Sequence, residues 1–194
     1  MTAEDKPHPL INRLEGLAGK QPDGSYKPEG RDRAALAHLR RGLGRTLGES
    51  GEMMPYVVPF LPEKGRHDPY FLVAALFASH PPEDNRKGIS IGKAMCAVWV
   101  ARDKTDSIEK RFVALLNANA NDLPHHLRTA IGLIKAESSL APLDYQRLLK
   151  DLRHWNHANR DVQRRWAQDF WLKEKEKNEG SNQSPESTIT SPTL

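Results

Sequence analysis

The sequence predicts an all-α fold: two small packed helical bundles and no sheet. Three observations predict it. Leucines recur at the three- and four-residue spacing of a helix face through much of the chain. Apolar runs open on helix-start signals, such as Asp68-Pro69 and Asp144. No Asn-Gly or Asp-Gly turn stands between alternating apolar strands.

The elements follow in order. Leu10, Leu14 and Leu17 give a first short face that ends near Gly19, before a Pro- and Gly-rich loop from Gln21 to Gly30. Leu36, Leu39, Leu43 and Leu47 mark one stripe of a second helix, weakened at Gly42 and Gly44 by about 1 kcal/mol each relative to alanine. Pro55 to Pro62 is fragmented by its prolines and reads as a helical turn or irregular segment. Asp68 as N-cap and Pro69 in the first turn start a run, Tyr70 to Ser79, that is apolar almost all round and therefore reads as a central buried helix. Pro81-Pro82 stops it. Ser90 leads another apolar helix that ends near Arg102. Asp106 with Glu109 has the spacing of a capping box for the helix of Ile108, Phe112, Leu115 and Leu116. Pro124 opens the next, with Leu127, Ala130, Ile131 and Ile134 as its face. Asp144 caps the helix of Leu148, Leu152 and Trp155; Asn159 or Asp161 opens the last, that of Val162, Trp166 and Phe170. The expected bundles span 1–104 and 105–174, dividing near Lys104–Ser107. The polar segment 175–194 has too little to bury and is expected to be disordered.

The chain has 194 residues, enough for one domain or two small bundles, and a formal charge of +4. That charge argues only weakly for an anionic partner, so the placement of charges carries the argument. Cys96 is the only cysteine and lies in an apolar run, which excludes a disulfide framework within one chain and suits a reducing cytoplasm. The opening residues show no signal-peptide core, and no run is long enough to span a bilayer. A soluble cytoplasmic protein is expected.

The basic residues gather opposite the apolar stripes. Arg31, His38, Arg41 and Arg45 oppose the leucines of the second helix. Arg147, Lys150 and His154 oppose Leu148, Leu152 and Trp155, Lys110 opposes Ile108 and Leu115, and Arg164 points away from Val162 and Trp166. Any one such stripe is equally what a solvated helix shows. Several without matching acids favour phosphate contacts: Arg31 to Gly48 holds five arginines and one aspartate, and Arg86 to Arg111 holds seven basic and three acidic residues. Such contacts position a strand without reading its sequence.

Catalytic patterns are thin. His67-Asp68 has the letters of a metal-dependent phosphohydrolase dyad without its further ligands. His125, His126, His154 and His157 lack an HExxH or a completing carboxylate pair and read as surface histidines supporting a basic patch. Trp155 and Trp166 fall on core faces; Trp171 lies off the stripe and stays open as a base-stacking residue. No phosphate loop, dinucleotide fingerprint or nucleophile elbow is present.

The segments SIEKRFVALLNAN, LPHHLRTAIGLIK and LDYQRLLKDLRHW, the ending RRWAQDFW, and GRDRAALAHLRRGLG with SIGKAM resemble the CasB small-subunit family of type I-E CRISPR Cascade complexes, over roughly Leu10 to Trp171. The resemblance implies a non-enzymatic, all-helical protein without a cofactor. It implies a pair of copies along an RNA-guided surveillance complex, in contact with its backbone and large subunits. It further implies that basic residues steady the guide RNA–target DNA hybrid and the displaced strand. The positions that match are Arg40, Arg41, Arg66, Arg86, Lys87, Lys93, Lys110, Arg111, Arg128 and Arg160. Asn117 departs from the pattern where a basic residue is expected in some relatives. Arg111 and Arg128 lie at the edges of apolar faces, where an internal carboxylate is the alternative partner. Against the nucleic-acid reading stand a purely protein-binding helical scaffold and a metal-dependent phosphohydrolase.

Overall fold

A computed structural model of the chain describes residues 7–44, 50–137 and 139–180, with 173–180 as backbone only. Among these residues the α-helices are α1 (Pro9–Leu17), α2 (Arg33–Arg41), α3 (Met54–Val57), α4 (Asp68–Ser79), α5 (Ile91–Ala101), α6 (Asp106–Asn117), α7 (Leu123–Lys135), α8 (Tyr145–Arg153) and α9 (Asp161–Gly180). Short 3-10 turns flank α2 and α3. The described residues form no strand; two isolated bridges pair Lys20 with Tyr26 and Ile89 with Leu143. The all-α expectation holds.

Side-chain caps set the starts of α1, α2, α5 and α8. Ser90 Oγ accepts from Lys93 N at 3.3 Å, and Asp144 Oδ1 from Arg147 N at 2.8 Å, each supplying an acceptor to an otherwise orphaned amide. Asp32 does the same for Ala35 N at 2.9 Å, and His8 Nδ1 for Leu10 N at 3.2 Å. Gly19 ends α1 at φ +89°, where an added Cβ would run into Lys27 O.

Several helix starts and stops differ from expectation. α2 stops at Arg41 because the chain tightens into a 3-10 turn, Gly42–Gly44, in which a Cβ on Gly42 would overlap Met53 Sδ. Leu43 is only half-buried, and Arg45 and Leu47 lie outside the described residues. Arg31 precedes α2 rather than lying on it, and bonds to Ala18 O at 3.3 Å. α4 includes Asp68, whose carboxylate faces Arg66 at 3.4 Å instead of capping. α6 forms no capping box; Glu109 accepts from Trp171 Nε1 at 3.0 Å. The segment expected to be disordered begins as helix: α9 backbone runs to Gly180 through Lys- and Glu-rich sequence of good helix propensity, and 181–194 lie outside the described residues.

α4 is the centre. Every residue from Pro69 to Ala78 is buried, as its apolar circumference requires. It packs against α1, α2, α3, α7 and α8, while α5 packs against α6, α7 and α9. The turn at Asp103 and Lys104, both with positive φ, lies at the expected division. Helix contacts run across that point in both directions. α5 precedes the turn yet joins α6, α7 and α9; α8 follows the turn yet joins α4. One continuous apolar cluster runs through the described helices. Tyr145 on α8 donates to His80 O beyond α4 at 2.7 Å, and Trp155 Nε1 to Ala118 O beyond α6 at 3.0 Å. Buried aromatic groups thus pin helix ends through the polar atoms they must satisfy.

Candidate nucleic-acid interface

α7 separates two basic depressions, because its side chains diverge on either side of its buried Leu127–Ile134 face. On one side Arg128, Ile131 and Lys135 meet Arg40 and Arg41 of α2 and Leu76 of α4 around a groove of about 430 Å³. On the other, His125 and His126 meet Lys110 and Arg111 of α6 around a pocket of about 450 Å³, with Met95 of α5 beneath.

The groove is braced. Arg40 Nε donates to Ala78 O at 3.2 Å, Lys135 Nζ to Ser79 O at 3.2 Å and Arg128 Nη1 to Leu43 O at 3.4 Å. The first two bonds occupy carbonyls at the C-terminal end of α4, which ordinarily lack helix partners. Arg41 pairs with Glu52 at 3.1 Å, and His38 Nδ1 lies 3.3 Å from the same carboxylate. These two neighbours, His38 first, hold the Glu52 carboxyl below its usual range.

The pocket is different. Arg111 forms no hydrogen bond or ion pair among the described residues. Lys110 lies 3.8 Å from Asp106, with both side chains about four-fifths exposed, where such a pair contributes little. Neither Arg111 nor Arg128 turns to an internal carboxylate among the described residues.

The other expected positions lie outside both depressions. Arg66 pairs with Asp68. Arg86 holds Asp84 at 2.8 Å and Leu140 O at 2.8 Å, which straps its loop to the turn after α7. Their mutual hydrogen bond raises Arg86 and lowers Asp84 from their ordinary pKa values. Lys87 is exposed beside it. Lys93 is half-buried and has an interaction within the protein. Arg160, at φ +53°, reaches over the end of α6 to Leu116 O at 2.6 Å and Asn117 Oδ1 at 3.5 Å. A guanidinium therefore does sit beside Asn117, supplied from the start of α9.

Lys135 was absent from the expected set. It stands seven residues after Arg128, two turns on and on the same side of α7, and that spacing was the available signal. Of the basic stripe of α8 only Arg147 is drawn inward, while Lys150 and His154 stay exposed. Arg147 reaches Asp169 at 3.3 Å and lies 4.0 Å from Asp151. Asp151, only 3% exposed, also binds Arg165 at 2.6 Å and Trp166 Nε1 at 2.7 Å. Trp171 is half-buried against Phe112 and Phe170, bonded to Glu109, and so belongs to the core rather than to a stacking platform. His67 Nε2 lies 3.0 Å from Pro62 O, and no group of three or more metal-ligating side chains forms among the described residues. No described helix is long and apolar enough to cross a membrane.

Residues 35–171 match the family model of the CRISPR-associated protein Cse2. A CRISPR-associated protein Cse2 from Thermus thermophilus is 35% identical over 142 residues, 71% of this chain and 79% of that protein. Among solved structures, CasB of M. ruber superposes with a TM-score of 0.69 at 27% identity, covering 89% of this chain and 97% of that one. A chain of a CRISPR RNA-guided surveillance complex superposes with a TM-score of 0.68 at 23% identity, over 89% and 95% of the respective chains, a likeness of fold.

Proposed function

Because the chain belongs to the CRISPR-associated Cse2 (CasB) family, we propose that it is a non-catalytic subunit of a type I-E Cascade complex that holds nucleic acid within the assembly. Its partners are the backbone and large subunits, a second copy of itself, the guide RNA, and the target and displaced DNA strands. The work is done in the cytoplasm. Base pairing reads the sequence, so the protein contributes backbone contacts that tip a near-balanced strand exchange toward the open R-loop.

One observation carries the reading: cations from α2, α6 and α7 line two depressions on either side of one helix. Phosphates placed there would displace counterions, and affinity would fall steeply with salt. Arg40, Arg41 and Arg128 serve the groove, and Lys110 and Arg111 the pocket. Arg66, Lys87, Lys93, Arg86 and Arg160 are assigned weaker or indirect parts, the last two through the loops they fasten.

The test is reconstitution with the other Cascade subunits and guide RNA, with and without this chain. Retention in the complex and a longer-lived target R-loop support the reading; failure to join, or an unchanged R-loop lifetime, overturns it. The protein-binding scaffold is the second reading, favoured by the internal use of Arg31, Arg86 and Arg147. It predicts retention in the complex without any salt-dependent strand binding.

A further inference from the structure

We infer that the pocket between α5, α6 and α7 receives one unstacked nucleotide of a single strand, its base inside and its phosphate on Lys110 and Arg111. The inference rests on the nucleic-acid reading above and adds to it a base-binding subsite. The rings on its rim and the unbonded Arg111 distinguish this pocket from the groove across α7, whose lining is likewise free of carboxylates.

Its lining carries no carboxylate: the charged and titratable members are Lys110, Arg111, His125 and His126. An anion therefore meets no opposing charge in the wall, and Arg111 has no described internal partner to give up. Its floor is apolar, with buried Met95 beneath and the small Ala114 and Ala130 leaving the space open. At about 450 Å³ it falls in the ordinary range of small-molecule sites, roughly 300–1,000 Å³.

Its rim also offers rings. The His125 and His126 imidazoles lie 5.4 Å apart at 78°, so a base can stack on one while meeting the edge of the other. Thr129 Oγ1 donates to His125 O at 3.1 Å, which leaves its oxygen free to accept from a base edge. The groove opposite has no ring in its lining, and its arginines and lysine are tied to backbone carbonyls or to Glu52. It suits phosphates alone. Stacking of this kind tolerates every base, which suits a protein that leaves sequence to base pairing.

The purified full-length chain, titrated at several salt concentrations with a 12-nucleotide oligothymidylate and with an abasic strand of the same length, tests this. The base-bearing strand is expected to bind about five-fold tighter or more. Ala114→Leu fills the pocket without touching its charges and should reduce that ratio to near one while the salt slope persists. Thr129→Leu, at a half-buried position of the lining, is the second filler should Ala114→Leu fail to fold. Equal affinity of wild-type protein for both strands, or an undiminished ratio in a folded filler variant, overturns the subsite and leaves the phosphate contacts standing. Binding of neither strand at low salt overturns the subsite and strand binding by the free chain together.

Discussion

The seam between α8 and α9 and the pocket beside α7 both present arginines on amphipathic helices, and they use them in contrary ways. At the seam, Arg147 and Arg165 are drawn inward to Asp151 and Asp169, which also collect Trp166 Nε1 and Ser90 Oγ. Beside α7, Arg111 has no described acid to turn to. A cation's role here is decided by whether a carboxylate from a distant part of the chain reaches it. Inside, the pair is desolvated and its removal is severe; outside, water screens each charge and its removal is felt mainly by a ligand.

The largest effect should come from breaking the seam. Asp151→Ala strands Arg165 and the indole of Trp166, and is expected to cost about 3–5 kcal/mol in urea unfolding. A cost within the range of ordinary surface substitutions would show that the seam is not the buried network described. Next comes Gly92→Ala. Its new Cβ would overlap Trp166 O and approach Asp169 Cβ at 2.8 Å, forcing α5 from α9 at about 1–3 kcal/mol. Differential scanning calorimetry would detect the lowered Tm, and an unchanged Tm would mean the two helices have slack.

The pocket should respond oppositely. Lys110→Glu with Arg111→Glu is expected to leave stability within about 0.5 kcal/mol. Single-strand affinity should fall, with the magnitude of the salt slope reduced by about 0.7 for each phosphate that the variant no longer neutralises. Unfolding of this variant would move the pair to the structural side of the comparison; an unaltered slope would remove it from the binding surface.

The smallest effect concerns histidines that are inside. His8 is held below its ordinary pKa by burial and then by Arg153, and His80 by burial and then by Lys135. The folded protein thus binds these protons less readily than the unfolded chain. Their contribution is full above about pH 6.5 and declines as pH falls through that value toward the lowered folded ones. Tm should drop between pH 7 and 5.5, and His8→Asn, which keeps a capping oxygen, should soften the drop. A slope identical to wild type would show that His8 has no part in it.

Much of the fold was legible because periodicity and caps are local. Leu127, Ala130, Ile131 and Ile134 are buried as their spacing implied, and Asp144 caps α8 as its position implied. The boundary of α2 was not legible, because it depends on Met53 lying against Gly42, an approach between separate segments. Basic positions could be found in the sequence, but their allegiance could not. Arg147 has Asp151 four residues on along its own helix, which the sequence shows, but the approach of Asp169 from α9 carried no local sign. Lys135 was within reach through its spacing from Arg128, whereas the partnership of Arg160 with Asn117 joins residues 43 apart and carried no local sign.

The packing of α8 on α4 bears on the order of synthesis. α4 emerges from the ribosome with its whole circumference apolar, yet α8, which covers part of it, is made only after three further helices. At about 5–20 residues per second, the stretch from Ser79 to Arg153 takes on the order of 4–15 s to translate. For that interval the nascent chain carries a greasy helix covered only by α1, α2 and α3, a natural target for a chaperone and a point at which overexpression would lose protein to aggregation.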